Sequence, residues 1–197
     1  MSRLLSLSSV AAVVLLAGLT SAFAESGGTI TGKVDATPSK MLPDTVVYLK
    51  NVPGNYPPKT LNEDQRGMKF IPHILLATVG DTVEFLNHDN VAHNVYSPDN
   101  DGFNLGTFKQ DEKRSQKFDQ AGSYTLLCSI HPEMLGYIFV GQNPYSAAVD
   151  AKGEYTIRGV PPGAYQLEVW NPKLKAAPKS VTVTAGGKVS ENISIKR

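Results

Sequence analysis

Residues 122–140, GSYTLLCSIHPEMLGYIFV, hold the one cysteine of the 197-residue chain. SYTLLC (123–128) and GYIFV (136–140) are short apolar and aromatic runs of strand character, joined by a polar segment that carries a proline. Cys128, His131 and Met134 follow one another at intervals of three residues, which puts a thiolate, an imidazole and a thioether on one tight loop after a strand. A second imidazole, His93, stands upstream in NHDNVAHNVYS (87–97).

These donor types point to a metal. Two nitrogens and one thiolate with a weak axial thioether make the ligand set of a blue-copper electron-transfer site, because soft sulfur favours Cu(I) while imidazole serves both oxidation states. Zinc is one alternative, although structural zinc sites usually bring more cysteine and methionine is a poor zinc ligand. A nucleophilic Cys–His pair is another, although no oxyanion-hole motif accompanies it.

Working outward, the chain opens MSRLLSLSSVAAVVLLAGLTSAFA, with Arg3 before an apolar run and Ala22 and Ala24 supplying an A-x-A cleavage pattern. Residues 1–24 are therefore expected to be a signal peptide cleaved near Ala24, placing the mature protein in the periplasm or outside the cell. The run Val10–Leu19 is too short for a membrane span of roughly 20 residues. The 19 Lys and Arg against 18 Asp and Glu give a formal net charge of +1, which argues against nucleic acid or an anionic membrane as the main partner. A lone cysteine in an oxidising compartment is a liability unless something occupies it.

Strand signals fill the rest: TVEFLN (82–87), GEYTI (153–157), AYQLEVW (164–170), SVTVT (180–184) and NISI (192–195), punctuated by Gly, Pro, Asn and Asp. The fold class expected is all-β, in two units. His88 is expected at the surface, His73 structural or exposed, Met68 in a core, and Trp170 in packing.

MKF…VGDTVEFLN…AHNV (68–95) and GSYTLLCSIHPEMLGYIFV (122–140) resemble the small type 1 copper proteins of the amicyanin and plastocyanin kind, the cupredoxins. The resemblance implies a Greek-key β-sandwich with one type 1 copper near one end. It implies His93, Cys128 and His131 as the strong ligands and Met134 as the axial one. It also implies that Asn94 hydrogen-bonds towards Cys128–Ser129 and ties the two ligand loops together. Ala92 departs from the pattern, since a proline often precedes the first histidine.

VDAKGEYTIRGVPPGAYQLEVWNP (149–172) and SVTVTAGGKVSENISI (180–195) resemble a carboxypeptidase regulatory-like, transthyretin-like β-sandwich. GTITGKVDATPSKMLPDTVVYLKN (28–51) looks like the first two strands of that same fold. The expected organisation is thus a sandwich made of 28–52 together with 142–197, into which a cupredoxin domain, 53–141, is inserted at an exposed turn. The alternative is a tandem, 25–141 followed by 142–197. The segment VPGNYPPKTLNEDQRG (52–67) is expected to be linker.

The function expected is a one-electron carrier between periplasmic redox proteins, with a c-type cytochrome or a dehydrogenase as partner and no enzymatic activity of its own. The other class is a copper-handling or envelope-associated module with incidental redox activity. Four histidines without a His-x-His pair do not supply the second copper centre of a multicopper oxidase or nitrite reductase.

Overall fold

A computed structural model describes residues 27–197 of the chain; the expected signal peptide, 1–24, lies outside the described residues. Among those residues the only helical segment is a 3-10 stretch, Ser39–Asp44, and no helix is long and apolar enough to cross a membrane. In chain order the strands are β1 (Gly28–Ala36), β2 (Val46–Lys50), β3 (Thr60–Gln65), β4 (Phe70–Ile71), β5 (Ile74–Thr78) and β6 (Thr82–Asn87). They continue with β7 (His93–Ser97), β8 (Phe103–Phe108), β9 (Lys113–Lys117), β10 (Gly122–Leu127) and β11 (Leu135–Gly141). The last are β12 (Ser146–Ala148), β13 (Glu154–Val160), β14 (Gly163–Trp170), β15 (Lys179–Val183), β16 (Lys188–Ser190) and β17 (Ile193–Ile195).

Four sheets result. Strands β5-β11-β10-β7-β8 face β4-β3-β6-β9, and between them lies a core that includes Val83, Phe85, Val95, Phe118, Leu126 and Ile138. Strand β1 pairs with β13 on one side and with β16 and β17 on the other, while β2 lies between β12 and β14. Those two sheets enclose a second core, with Ile30, Leu49, Ile157, Leu167 and Val181.

Strand β11 reads as a continuous apolar run because both of its faces are covered. Ile138 and Val140 face the first core. Tyr137 and Phe139 face the other way, against Val46 and Ile74, with Tyr48 and Trp170 packed alongside. Phe139 lies 4.8 Å from Tyr48, and Tyr137 lies 5.2 Å from Trp170, ring centre to ring centre. Trp170 is thus a packing residue at the junction of the two sandwiches. His73 adds a polar tie there, with Nε2 2.7 Å from the Asp44 carboxylate. Asn143 supplies another, donating from its buried side chain to the Leu49 carbonyl at 2.9 Å.

The supposed linker 52–67 ends in a strand. Strand β3 runs parallel to β6, from Thr60 opposite Thr82 to Gln65 opposite Asn87. It escapes a hydrophobic pattern because its fully buried positions carry Glu63 and Gln65. No protein group bonds the Glu63 carboxyl oxygens or Gln65 Oε1. Burial first, and then the neighbouring Asp64 charge, push the Glu63 pKa up from 4.5 to about 9.

Between these two values the folded chain keeps a proton that the unfolded chain has lost, so stability falls as pH rises from about 4.5 towards 9. Glu63→Gln removes that titration. Urea unfolding at pH 5 and pH 8 should show a downward slope in the wild type and a flatter one in the variant. The deficit at pH 7 relieved by the change is on the order of 3 kcal/mol, at 1.36 kcal/mol per pKa unit.

Candidate metal centre

Strand β10 alternates, and Tyr124, Leu126 and Cys128 all point inward, so the thiol continues the core-facing row one residue past the strand end. The chain then makes a seven-residue hairpin loop, 128–134, closed by the opposed pair Leu127 and Leu135. Inside the loop the Met134 N–H donates to the His131 carbonyl at 3.0 Å, and the Met134 side chain returns to the core that holds Cys128. Gly136 follows because Phe70 crosses closely: a Cβ at 136 would stand 2.7 Å from the Phe70 Cβ. His93 opens β7, the strand beside β10, where Leu127 lies opposite Tyr96. Three neighbouring strands therefore deliver the donors to one end of one sheet.

There the donor atoms of His93, Cys128 and His131 all lie within 4.8 Å of one another, and no other such His/Cys/Asp/Glu group occurs among the described residues. The Nδ1 atoms of His93 and His131 converge to 3.0 Å, and the Cys128 sulfur lies 4.0 Å from His131 Nδ1. His93 and Cys128 are buried, while His131 is partly open to solvent. A buried thiol facing two imidazole nitrogens fits a soft, one-electron metal such as copper. Of the four sequence candidates, three form this cluster; Met134 is buried in the same hydrophobic core as Cys128.

The surroundings brace Cys128 and His93. The Asn94 backbone N–H points at the Cys128 sulfur, at 3.4 Å. The Asn94 side-chain oxygen accepts from the Ser129 N–H at 3.3 Å, and its amide nitrogen donates to Asn104 Oδ1 and the Gly106 carbonyl. The two ligand loops are thereby joined, as the resemblance implied.

Asp89 was not singled out from the sequence. Its carboxylate receives the Nε2 side of His93 at 2.8 Å, which leaves His93 Nδ1 as the free donor. The same carboxylate accepts the Gly67 N–H at 2.6 Å and the Met68 N–H at 2.8 Å. Partial burial raises its pKa, but the bonds from Met68, Gly67 and His93 outweigh that and hold it below the ordinary carboxylate value. The only available signal was a carboxylate four residues before a candidate ligand, with nothing in the sequence to give its direction. His88 is exposed as expected and bonds Asp64 at 2.7 Å.

Met68, expected in a core, is instead 47% exposed. It belongs to a group of exposed large apolar residues, Met68, Ile71, Val91, Ile130 and Leu135. Val91 lies two residues before His93, while Ile130 and Leu135 flank His131 and Met134. Met68 is tied through Asp89 to His93, and Ile71 pairs across β3–β4 with Asp64, the partner of His88. The turn 66–69 accordingly serves the metal end, so its side chain faces solvent.

The family model of copper binding proteins of the plastocyanin/azurin family matches residues 59–141. That of the carboxypeptidase regulatory-like domain matches residues 138–196. Among solved structures, a reduced amicyanin variant is 29% identical over 41% of this chain and 81% of its own, with a TM-score of 0.39. A purple cupredoxin from Nitrosopumilus maritimus is 26% identical over 41% of this chain and 99% of its own, also at 0.39. A copper-containing nitrite reductase from Thermus scotoductus is 29% identical over 42% of this chain but only 22% of its own, at 0.40. No curated protein matches the chain. Copper is the cofactor that the family match and the donor set together assign.

Asn94→Ala would remove the bonds that its buried side chain makes with the Ser129 N–H, the Gly106 carbonyl and Asn104 Oδ1. Urea denaturation of the metal-free protein should register a loss of about 1–3 kcal/mol.

Proposed function

We propose that the chain is an exported one-electron carrier, with His93, Cys128 and His131 as the strong copper ligands and Met134 as the axial ligand. One observation carries the reading: the donor atoms of buried Cys128 and His93 and of partly open His131 lie within 4.8 Å of one another, and the exposed apolar residues Val91, Ile130 and Leu135 stand within four residues of these ligands in the chain. Copper supplies a one-electron couple. The protein's part is to hold the donors still and to keep bulk water from the buried ones. The Cys128 thiolate is braced by the Asn94 N–H, and His93 is braced by Asp89. His131, partly exposed between Ile130 and Leu135, is the edge through which an electron leaves.

The partner is a redox protein, a c-type cytochrome or a dehydrogenase, that presents an apolar patch of its own. A small, weakly charged contact suits the work, because a carrier must release one partner before it meets the next. The Met residues beyond the leader, Met41, Met68 and Met134, do not gather into a cluster that would pass copper itself from hand to hand.

For the architecture, we infer that 53–141 is inserted into a sandwich made of 28–52 and 142–197. Support comes from the pairing of β1 with β13 and of β2 with β12 and β14, which places two early strands among late ones.

Two experiments test these readings. Addition of Cu(II) should give an intense visible absorption that Cys128→Ser abolishes. Met134→Leu should keep the colour and raise the reduction potential, because a ligand that helps to stabilise Cu(II) is gone; stoichiometric colourless Cu(II) would sink the assignment. Residues 142–197 alone should lack a cooperative melt, whereas 28–52 joined to 142–197 by a short Gly/Ser linker should have one.

A further inference from the structure

We propose that Asp89 is a positioning residue that couples the His93 ligand to the conformation of the docking face at Met68. The inference rests on the copper reading above and extends it to a residue outside the ligand set.

Gly67 and Met68 have φ angles of 62° and 54°, so two successive residues are left-handed. Such a pair turns consecutive N–H groups to one side and forms a concave seat for an anion. Asp89 occupies the seat, at 2.6 Å from the Gly67 nitrogen and 2.8 Å from the Met68 nitrogen. A Cβ on Gly67 would meet nothing within 4 Å, so backbone conformation rather than space explains the glycine. At 68 there is no glycine. A methionine holds the same unfavourable region, with its side chain out in solvent. Among the bonds its backbone makes there, the one to Asp89 joins it to the metal end.

Oδ2, the oxygen that accepts the Met68 N–H, also faces Nε2 of His93, a fully buried ring, while the Asp89 side chain itself is 12% exposed. Charge interactions in such a place are screened less than at the surface. An anion on Nε2 fixes the proton there, leaves Nδ1 as donor and strengthens it. It also favours the more positively charged oxidised metal over the reduced one, and so lowers the reduction potential. A change in the turn at 67–68 therefore reaches the ligand through two hydrogen-bonded steps, and Met68 itself, 47% exposed, is open to a docking partner.

The test compares three variants of the full chain. Asp89→Asn keeps the shape and removes the charge. It should raise the potential by an amount equivalent to roughly a tenfold change in the ratio of Cu(II) to Cu(I) affinity, about 59 mV for one electron. Met68→Val places a β-branched residue where φ is positive, disrupts the seat, and should move the potential in the same direction without touching a ligand. Met68→Gly keeps the left-handed turn and should leave the potential at the wild-type value. In the metal-free protein, 15N NMR should place the His93 proton on Nε2 in the wild type, and Asp89→Asn should alter the Gly67 and Met68 amide shifts. A blue wild type whose potential does not move in Asp89→Asn overturns the positioning role. Equal potentials in Met68→Val and Met68→Gly overturn the link to the docking face. A colourless wild type overturns the copper reading, and this inference with it.

Discussion

The two-sided burial of β11 is the constraint from which the rest of the structure follows. A strand that alternates Ile138 and Val140 towards one core with Tyr137 and Phe139 towards another cannot slip by one residue without exchanging both sets. Its register with β10 is therefore strongly held, from Gly122 opposite Val140 to Leu127 opposite Leu135. That last pair fixes where the ligand loop begins and ends. The packing of the two sandwiches and the geometry of the metal end are thus set by one strand.

The donors are held by two kinds of brace. On the sulfur side, Asn94 supplies neutral hydrogen bonds that stitch the His93 loop to the Cys128 loop. On the imidazole side, Asp89 supplies a charge, itself seated on backbone N–H groups from a turn distant in sequence. The first brace acts mainly on position. The second also acts on the electronic balance between oxidation states.

Much of this was legible in the sequence. Cys128, His131 and Met134 fall on one loop at intervals that few other functions need, and strands such as Thr82–Asn87 announce themselves by alternation. What could not be read depends on pairing at a distance. Strand β3 carries glutamate and glutamine where a pattern search looks for apolar residues. Met68 looks like core material until its backbone is seen bound to a carboxylate 21 positions away. The contact between Asp44 and His73 joins two parts of the chain that no local periodicity relates. In each case the missing information was a partner rather than a propensity.

The placement of the exposed apolar residues also governs how copies of this protein meet each other. With Tyr137 and Phe139 enclosed at the junction, the large apolar side chains left exposed among the described residues are Met68, Ile71, Val91, Ile130 and Leu135, the last two flanking His131 and Met134 in the chain. On the carrier reading proposed above, two copies drawn together through Ile130 and Leu135 would meet at their metal ends. The encounter that would pass an electron between like molecules and the one that would begin self-association would then be the same event, in competition with a foreign partner for that surface.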